Sequence, residues 1–254
     1  MSEQIAGVTI IPRDVFLDEY WSYRSGQHVT FVAKTQSGKT TLAYQLLQRS
    51  ARPDMPALVL VMKPRDPTVT RWTNALGYPR VHNWPPTPNP MRRKPSGWTI
   101  WPVLGRDPEE DEEILYRVFR RVLLESYRAG RNPNGRRIVF SDEAVDLANL
   151  DDPDAPSGRK RPLRVPMDAI WKRGSGMDIG QWAATQRAAG LSYHGYSAPE
   201  HIFLAYDPDK RTRQRYDEIG GTDRGLVEAV TQRLPPFHFL YLQRSTGTYC
   251  VVGP

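Results

Sequence analysis

The sequence predicts an α/β fold with a mostly parallel central sheet flanked by helices. Two observations carry that prediction. Short apolar runs rich in β-branched residues alternate with helical patterns along most of the chain, the alternation that lays strands side by side through helical crossovers. The runs HVTFVA (28–33), ALVLVM (57–62) and RIVFS (137–141) are also nearly continuous in apolar character. Strands covered on both faces read this way, whereas half-solvated strands alternate.

Taken in order, residues 1–26 form an N-terminal extension, 27–235 the core and 236–254 a C-terminal β extension, all within a single domain. The strand at 28–33 is followed by a helix at 40–49 (TTLAYQLLQR) and a second strand at 57–62. Residues 63–97 are rich in Pro, Arg and Asn with no clear period, which reads as a long loop holding at most one short helix. Residues 98–103 (WTIWPV) read as a short strand, which Pro102 moves towards an edge. The clearest helix spans 107–127. It opens on Asp-Pro and a run of acids and closes among Arg120, Arg121 and Arg128, matching the helix dipole at both ends. Ile114, Leu115, Val118 and Val122 mark its apolar stripe.

The third buried strand, 137–141, leads to a Pro- and charge-rich loop at 148–166 and a short helix at 167–173. Further strands follow at 179–185 (IGQWAAT) and 201–206 (HIFLAY), then helices at 208–219 and 223–232. The chain closes with runs at 237–243 and 248–252, a β-hairpin turning near Thr246-Gly247.

Composition excludes several classes. A chain of 254 residues buries a sizeable core unaided. One cysteine, Cys250, rules out an intrachain disulfide and a Cys-rich metal site. No run approaches the ~20 apolar residues that span a bilayer, and the N-terminus has no secretory pattern. A cytoplasmic setting with no membrane role of its own is expected. Lys and Arg number 35 against 28 Asp and Glu, a net charge of +7. The basic residues cluster at 92–94, 159–161 and 210–215, which favours a polyanionic partner, nucleic acid above all.

The segment Ala33-Lys34-Thr35-Gln36-Ser37-Gly38-Lys39-Thr40 matches the G-x-x-x-x-G-K-[ST] phosphate loop except at its first position, where Ala replaces Gly. A buried strand precedes it and a helix follows. Backbone N–H groups of such a loop and the helix N-terminus bind phosphate oxygens. The expected nucleotide-contacting set is Thr35, Gln36, Ser37, Gly38, Lys39, Thr40 and Thr41, and the expected nucleotide is ATP. Lys39 pairs with the β- and γ-phosphates, and Thr40 ligates Mg²⁺.

The strand at 137–141 runs directly into Asp142-Glu143. An Asp at such a strand end holds Mg²⁺ beside the phosphate loop, and an adjacent Glu can orient and deprotonate the attacking water. The same two carboxylates could also cap the following helix, AVDLAN. About forty residues on, QWAATQR places Gln186 at another strand end, where an amide can sense the γ-phosphate. Tyr20, Trp21 and Tyr23 could stack on adenine or belong to the core.

The order of these motifs resembles the FtsK–HerA superfamily of DNA-translocating P-loop ATPases, with its RecA-like core, and within it the viral DNA-packaging members. The likeness rests on Asp142-Glu143, the segment MDAIWKRGSGMDIGQWAATQR, and HIFLAYDPDKRTRQRYDEIGG, in which a strand is followed by a helix ending in a glycine pair. It implies that Lys39 and Thr40 are the P-loop pair, Asp142 the magnesium residue, Glu143 the catalytic base and Gln186 the sensor. It also implies an arginine supplied in trans, for which Arg173 is the candidate and Arg187 the alternative. A homo-oligomeric ring, pentamer or hexamer, would grip double-stranded DNA through channel loops. Arg159, Lys160, Arg161 and Arg164 are the first candidates and Arg92-Arg93-Lys94 the second. Partners would include a viral portal or procapsid in the host cytoplasm. A cellular or plasmid translocase for segregation or conjugation, and a non-hydrolysing nucleotide-binding DNA scaffold, are the alternative roles.

Overall fold

Among the described residues, eleven strands form one mixed sheet in the order β1-β2-β11-β10-β9-β3-β8-β7-β4-β6-β5. The computed structural model describes residues 3–87, 93–156, 161–220 and 224–254. Along the chain come β1 (Gln4–Ile5), β2 (Val8–Ile11), α1 (Arg13–Val15) with a π-helical turn at Phe16–Tyr20, β3 (Val29–Val32) and α2 (Lys39–Ser50). Next are β4 (Ala57–Leu60), α3 (Pro67–Ala75), β5 (Arg80–Val81), β6 (Gly97–Ile100) and α4 (Pro108–Ala129). Then follow β7 (Arg137–Ser141), α5 (Ala144–Asn149), α6 (Arg164–Arg173), β8 (Ile179–Thr185) and α7 (Tyr193–Ser197). The chain ends with β9 (His201–Leu204), α8 (Lys210–Gly220), α9 (Arg224–Thr231), β10 (Phe239–Gln243) and β11 (Thr248–Val252).

The central strands β9, β3, β8, β7, β4, β6 and β5 are all parallel to one another. Their carboxyl ends therefore share one edge, the place where open α/β sheets bind ligands. Each of β3, β4, β7, β8 and β9 is buried along its whole length apart from Arg137. On one face α2 packs over Phe31, Phe140, Trp182 and Phe203. On the other, the α4 stripe (Leu115, Phe119, Val122) and Trp171 of α6 cover Leu58, Val139 and Ala183. Helices α8 and α9 contribute Tyr216, Ile219, Val227 and Val230 to a third cluster over β9 and β10.

Local chemistry explains the helix ends. Asp107 caps α4, its carboxylate accepting from the Glu110 N–H at 2.9 Å, with Pro108 in the first turn. Helix α6 starts at Arg164, inside the stretch expected to be loop. Pro166 falls in its first turn, where a missing N–H costs nothing.

One expectation needs correction. The strand at 97–100 is not an edge: β6 pairs with β4 on one side and β5 on the other, and Pro102 lies beyond its end. The N-terminal extension is part of the sheet, because β2 runs parallel to β11. Of the N-terminal aromatics, Trp21 and Tyr23 are core. Trp21 donates from Nε1 to Ser50 and packs edge-on to Trp182, while Tyr23 donates to the Gln27 carbonyl. Tyr20 is exposed. The C-terminal hairpin is as expected, turning at Gly247 (φ 66°) and joining β9 in antiparallel register.

Candidate active site

The loop after β3 builds the site. Ala33 keeps negative φ and donates its N–H to the Thr185 carbonyl at 3.0 Å, so the position needs no glycine. The turn is made later, by Gln36 (φ 63°) and Gly38 (φ 85°) in left-handed conformation. Gly38 then leads directly into α2, putting the loop's N–H groups and the helix N-terminus on one concave surface. The Ser37 hydroxyl is buried there without a hydrogen-bond partner, and Lys39 is buried at 5 % exposure. A buried ammonium beside an unsatisfied hydroxyl is a cradle suited to an anion.

Strand order brings the distant motifs to this loop. Because β8 lies between β3 and β7, Gln186 sits between the phosphate loop and Asp142-Glu143. Its Oε1 accepts from the Thr35 hydroxyl at 2.7 Å, and its Nε2 donates to Glu143 Oε1 at 2.8 Å. The Thr40 hydroxyl reaches both Asp142 carboxylate oxygens at 3.1 Å. The Lys39 ammonium lies 3.3 Å from the Asp142 carbonyl and 4.0 Å from Glu143. Glu143 stands at the head of α5 but makes no side-chain cap there. Its carboxylate instead faces Gln186 and the lysines, which favours the site role over capping.

Burial raises the Asp142 carboxyl above the ordinary range, an effect Lys39 opposes and Glu143 reinforces. Oxygen donors from a hydroxyl and a buried carboxylate, 3.1 Å apart beside an anion cradle, suit a hard divalent cation such as Mg²⁺. The residues present fit that ion.

These groups line a cavity of about 320 Å³ with Thr41 and Gln36. No family model and no curated protein matches the sequence. Solved structures do match. The genome packaging NTPase B204 from Sulfolobus turreted icosahedral virus 2, in complex with AMPPCP, superposes with a TM-score of 0.56 at 13% identity over 90% of this chain and 97% of that one. VirB4 of Thermoanaerobacter pseudethanolicus gives a TM-score of 0.61 at 11% identity over 89% and 88% of the two chains. The cytoplasmic domain of the Thermomonospora curvata Type VII secretion ATPase EccC gives 0.59 at 14% identity over 90% of this chain and 25% of that one.

The chain has the P-loop ATPase fold.

Within that fold, groups not anticipated from sequence join the site, among them Lys63 and Phe237. Lys63, just past β4, lies 3.5 Å from Glu143 Oε1. Its only sequence signal is a lysine shortly after an apolar strand. Phe237, from the segment before β10, lies over Gly38 and lines the same cavity. No local motif marks it.

Other expected residues lie apart from the P-loop. Arg173 ends α6 near the amino ends of β3 and β8: Gly174, its neighbour, borders His28 and accepts from Ile179 N–H. A seven-residue strand separates it from the site of its own chain, about 20 Å. Arg173 is exposed and donates to the Tyr127 hydroxyl at 2.8 Å. Arg187 is exposed at the site's own edge, beside Gln186. Of the DNA-loop candidates, Arg159, Lys160 and Arg92 lie outside the described residues. Arg161 and Arg164 are exposed, the latter donating to Asn149 at 3.1 Å. Arg93 and Lys94 are also exposed. Among the described residues no helix is long and apolar enough to cross a membrane.

Proposed function

We propose that the chain hydrolyses ATP and uses it to move double-stranded DNA, as a genome-packaging motor of the FtsK–HerA type. The observation that carries the hydrolytic half is the Gln186 side chain, bonded on one side to the phosphate loop through Thr35 and on the other to Glu143.

The loop N–H groups and Lys39 bind the phosphates and neutralise them. Mg²⁺, when bound at Thr40 and Asp142, supplies further positive charge to the phosphate oxygens. Glu143 orients the attacking water and accepts its proton, with the Lys39 and Lys63 ammonium groups 4.0 Å and 3.5 Å from its carboxylate. Gln186 ties the state of Glu143 to the loop that meets the γ-phosphate. Positive charge from a neighbouring subunit's arginine stabilises the transition state, so turnover belongs to an assembled ring.

The DNA half rests on the net charge of +7, the exposed Arg161 and Arg164 with the adjoining Arg159 and Lys160, and the likeness to B204 over 97% of that chain. Backbone contacts of this kind are indifferent to sequence and weaken with salt. The likeness to a secretion ATPase supports a second reading, a motor for another polymer.

The test is steady-state ATPase activity with and without double-stranded DNA. Stimulation at low salt that fades towards 0.3 M is expected, with turnover in Glu143→Gln lower by about 10²–10⁴-fold. Parent-like turnover in Glu143→Gln would remove the base assignment. Activity indifferent to DNA at low salt would favour the second reading. Stoichiometric ATP binding without turnover would leave a scaffold.

A further inference from the structure

The cavity beside the P-loop has one apolar wall. Phe237 is the single aromatic side chain among the described residues that line it, and the others are polar, charged or glycine. Its ring is half exposed although it is large and apolar. A β-carbon built on Gly38 would come within 3.1 Å of the ring's Cδ1, so the ring already lies against the phosphate loop.

The backbone holds Phe237 there against its own preference. Its φ is 64°, the left-handed region that bulky side chains avoid. Two features fix it. Pro235-Pro236 restrict the chain just before it. Arg13, from the other end of the sequence, donates from Nη2 to the Phe237 carbonyl at 2.6 Å. An aromatic ring kept strained and half in water does little for the core. Half of the residue's surface is open to the cavity side and to solvent, where a flat apolar partner such as a nucleobase could stack.

We propose that Phe237 is the nucleobase platform of this site, stacking on the purine of the bound nucleoside triphosphate and contributing affinity that the phosphate loop alone does not. This rests on the reading of the P-loop as an ATP site. Stacking does not read the base's hydrogen-bonding edge, so the platform accepts adenine and guanine alike. The C-terminal β extension is thereby part of the nucleotide site.

The experiment compares ATP with inorganic tripolyphosphate, which offers the same phosphates and no base. Both are titrated calorimetrically with Mg²⁺ into the full chain and into Phe237→Ala, Phe237→Asn and Phe237→Tyr. Asn tolerates left-handed φ, so Phe237→Asn removes the ring while keeping the backbone even if Phe237→Ala folds poorly. ATP affinity should fall about tenfold in Phe237→Ala and Phe237→Asn, with tripolyphosphate affinity unchanged and Phe237→Tyr near the parent. Unchanged ATP affinity, or equal losses for both ligands, would overturn the platform. If the parent bound neither ligand, or bound both equally well after Lys39→Ala, the P-loop reading itself would fail, a separate outcome.

Discussion

The Gln186 amide holds the Glu143 carboxylate at 2.8 Å while its oxygen holds the Thr35 hydroxyl at 2.7 Å. One side chain thus spans the gap between the 33–40 loop and the Glu143 carboxylate. On the proposed reading, a ligand that takes the amide from Glu143 would free that carboxylate for proton transfer.

Replacing Gln186 with Leu removes both bonds at similar volume. Single-turnover hydrolysis should slow by about 10²-fold, while ATP affinity stays within about threefold, because the phosphates are bound elsewhere. Rapid-quench turnover and equilibrium titration on the same preparation separate the two effects. A loss confined to affinity would make Gln186 a binding residue only.

Thr40→Ala takes the hydroxyl donor from Asp142, whose carboxyl burial already raises. Less charge then remains for the metal. The Mg²⁺ concentration for half-maximal ATPase should rise about 10–100-fold. A Mg²⁺ titration at saturating ATP measures it.

Two histidines should make the fold acid-sensitive. Burial lowers His28 and His201 to about 4, against about 6.5 in the unfolded chain. His28 accepts the Gln181 N–H on Nδ1 at 2.9 Å, a bond the protonated ring cannot accept. Their folded pKa is depressed by burial of a base, so the unfolded chain takes up protons first as pH falls. Stability is full above about 6.5 and declines towards 4, by roughly 3 kcal/mol per residue. Urea midpoints at pH 7, 5.5 and 4.5 should fall in that order, and His28→Gln should flatten the trend.

Arg173 cannot reach its own phosphate loop across the sheet, so any role in hydrolysis is in trans. Arg173→Ala and Glu143→Gln should each be nearly inactive alone. A mixture of the two should recover activity, because a Glu143→Gln subunit still offers its arginine to an intact neighbouring site. Full activity in Arg173→Ala alone, with Arg187→Ala inactive, would exclude Arg173 and move the role to Arg187.

Much of the site was legible because P-loop chemistry is local. Phosphate binding needs consecutive N–H groups at a strand–helix turn, so 33–40 reads directly. Asp142, Glu143 and Gln186 also read directly, since each follows a buried strand whose carboxyl end must meet the ligand edge. Lys63 lies in a stretch without periodicity, and nothing within it signals contact with Glu143. Phe237 sits beyond the last helix, where local pattern suggests only the start of a strand. The β2 strand escaped notice because it has only four residues and pairs with β11, from the far end of the chain.

The sequence by itself determined where the phosphate-loop motif lies and where the carboxylates and amide stand relative to their strands, because hydrophobic runs and the residues ending them are consecutive. Only the tertiary structure decided that β8 lies between β3 and β7, so that Gln186 meets both Thr35 and Glu143. It also decided that Arg173 faces away and that Phe237 joins the cavity. Strand order and contacts between distant segments come from how helices and strands share one core, and no local stretch of chain encodes that sharing.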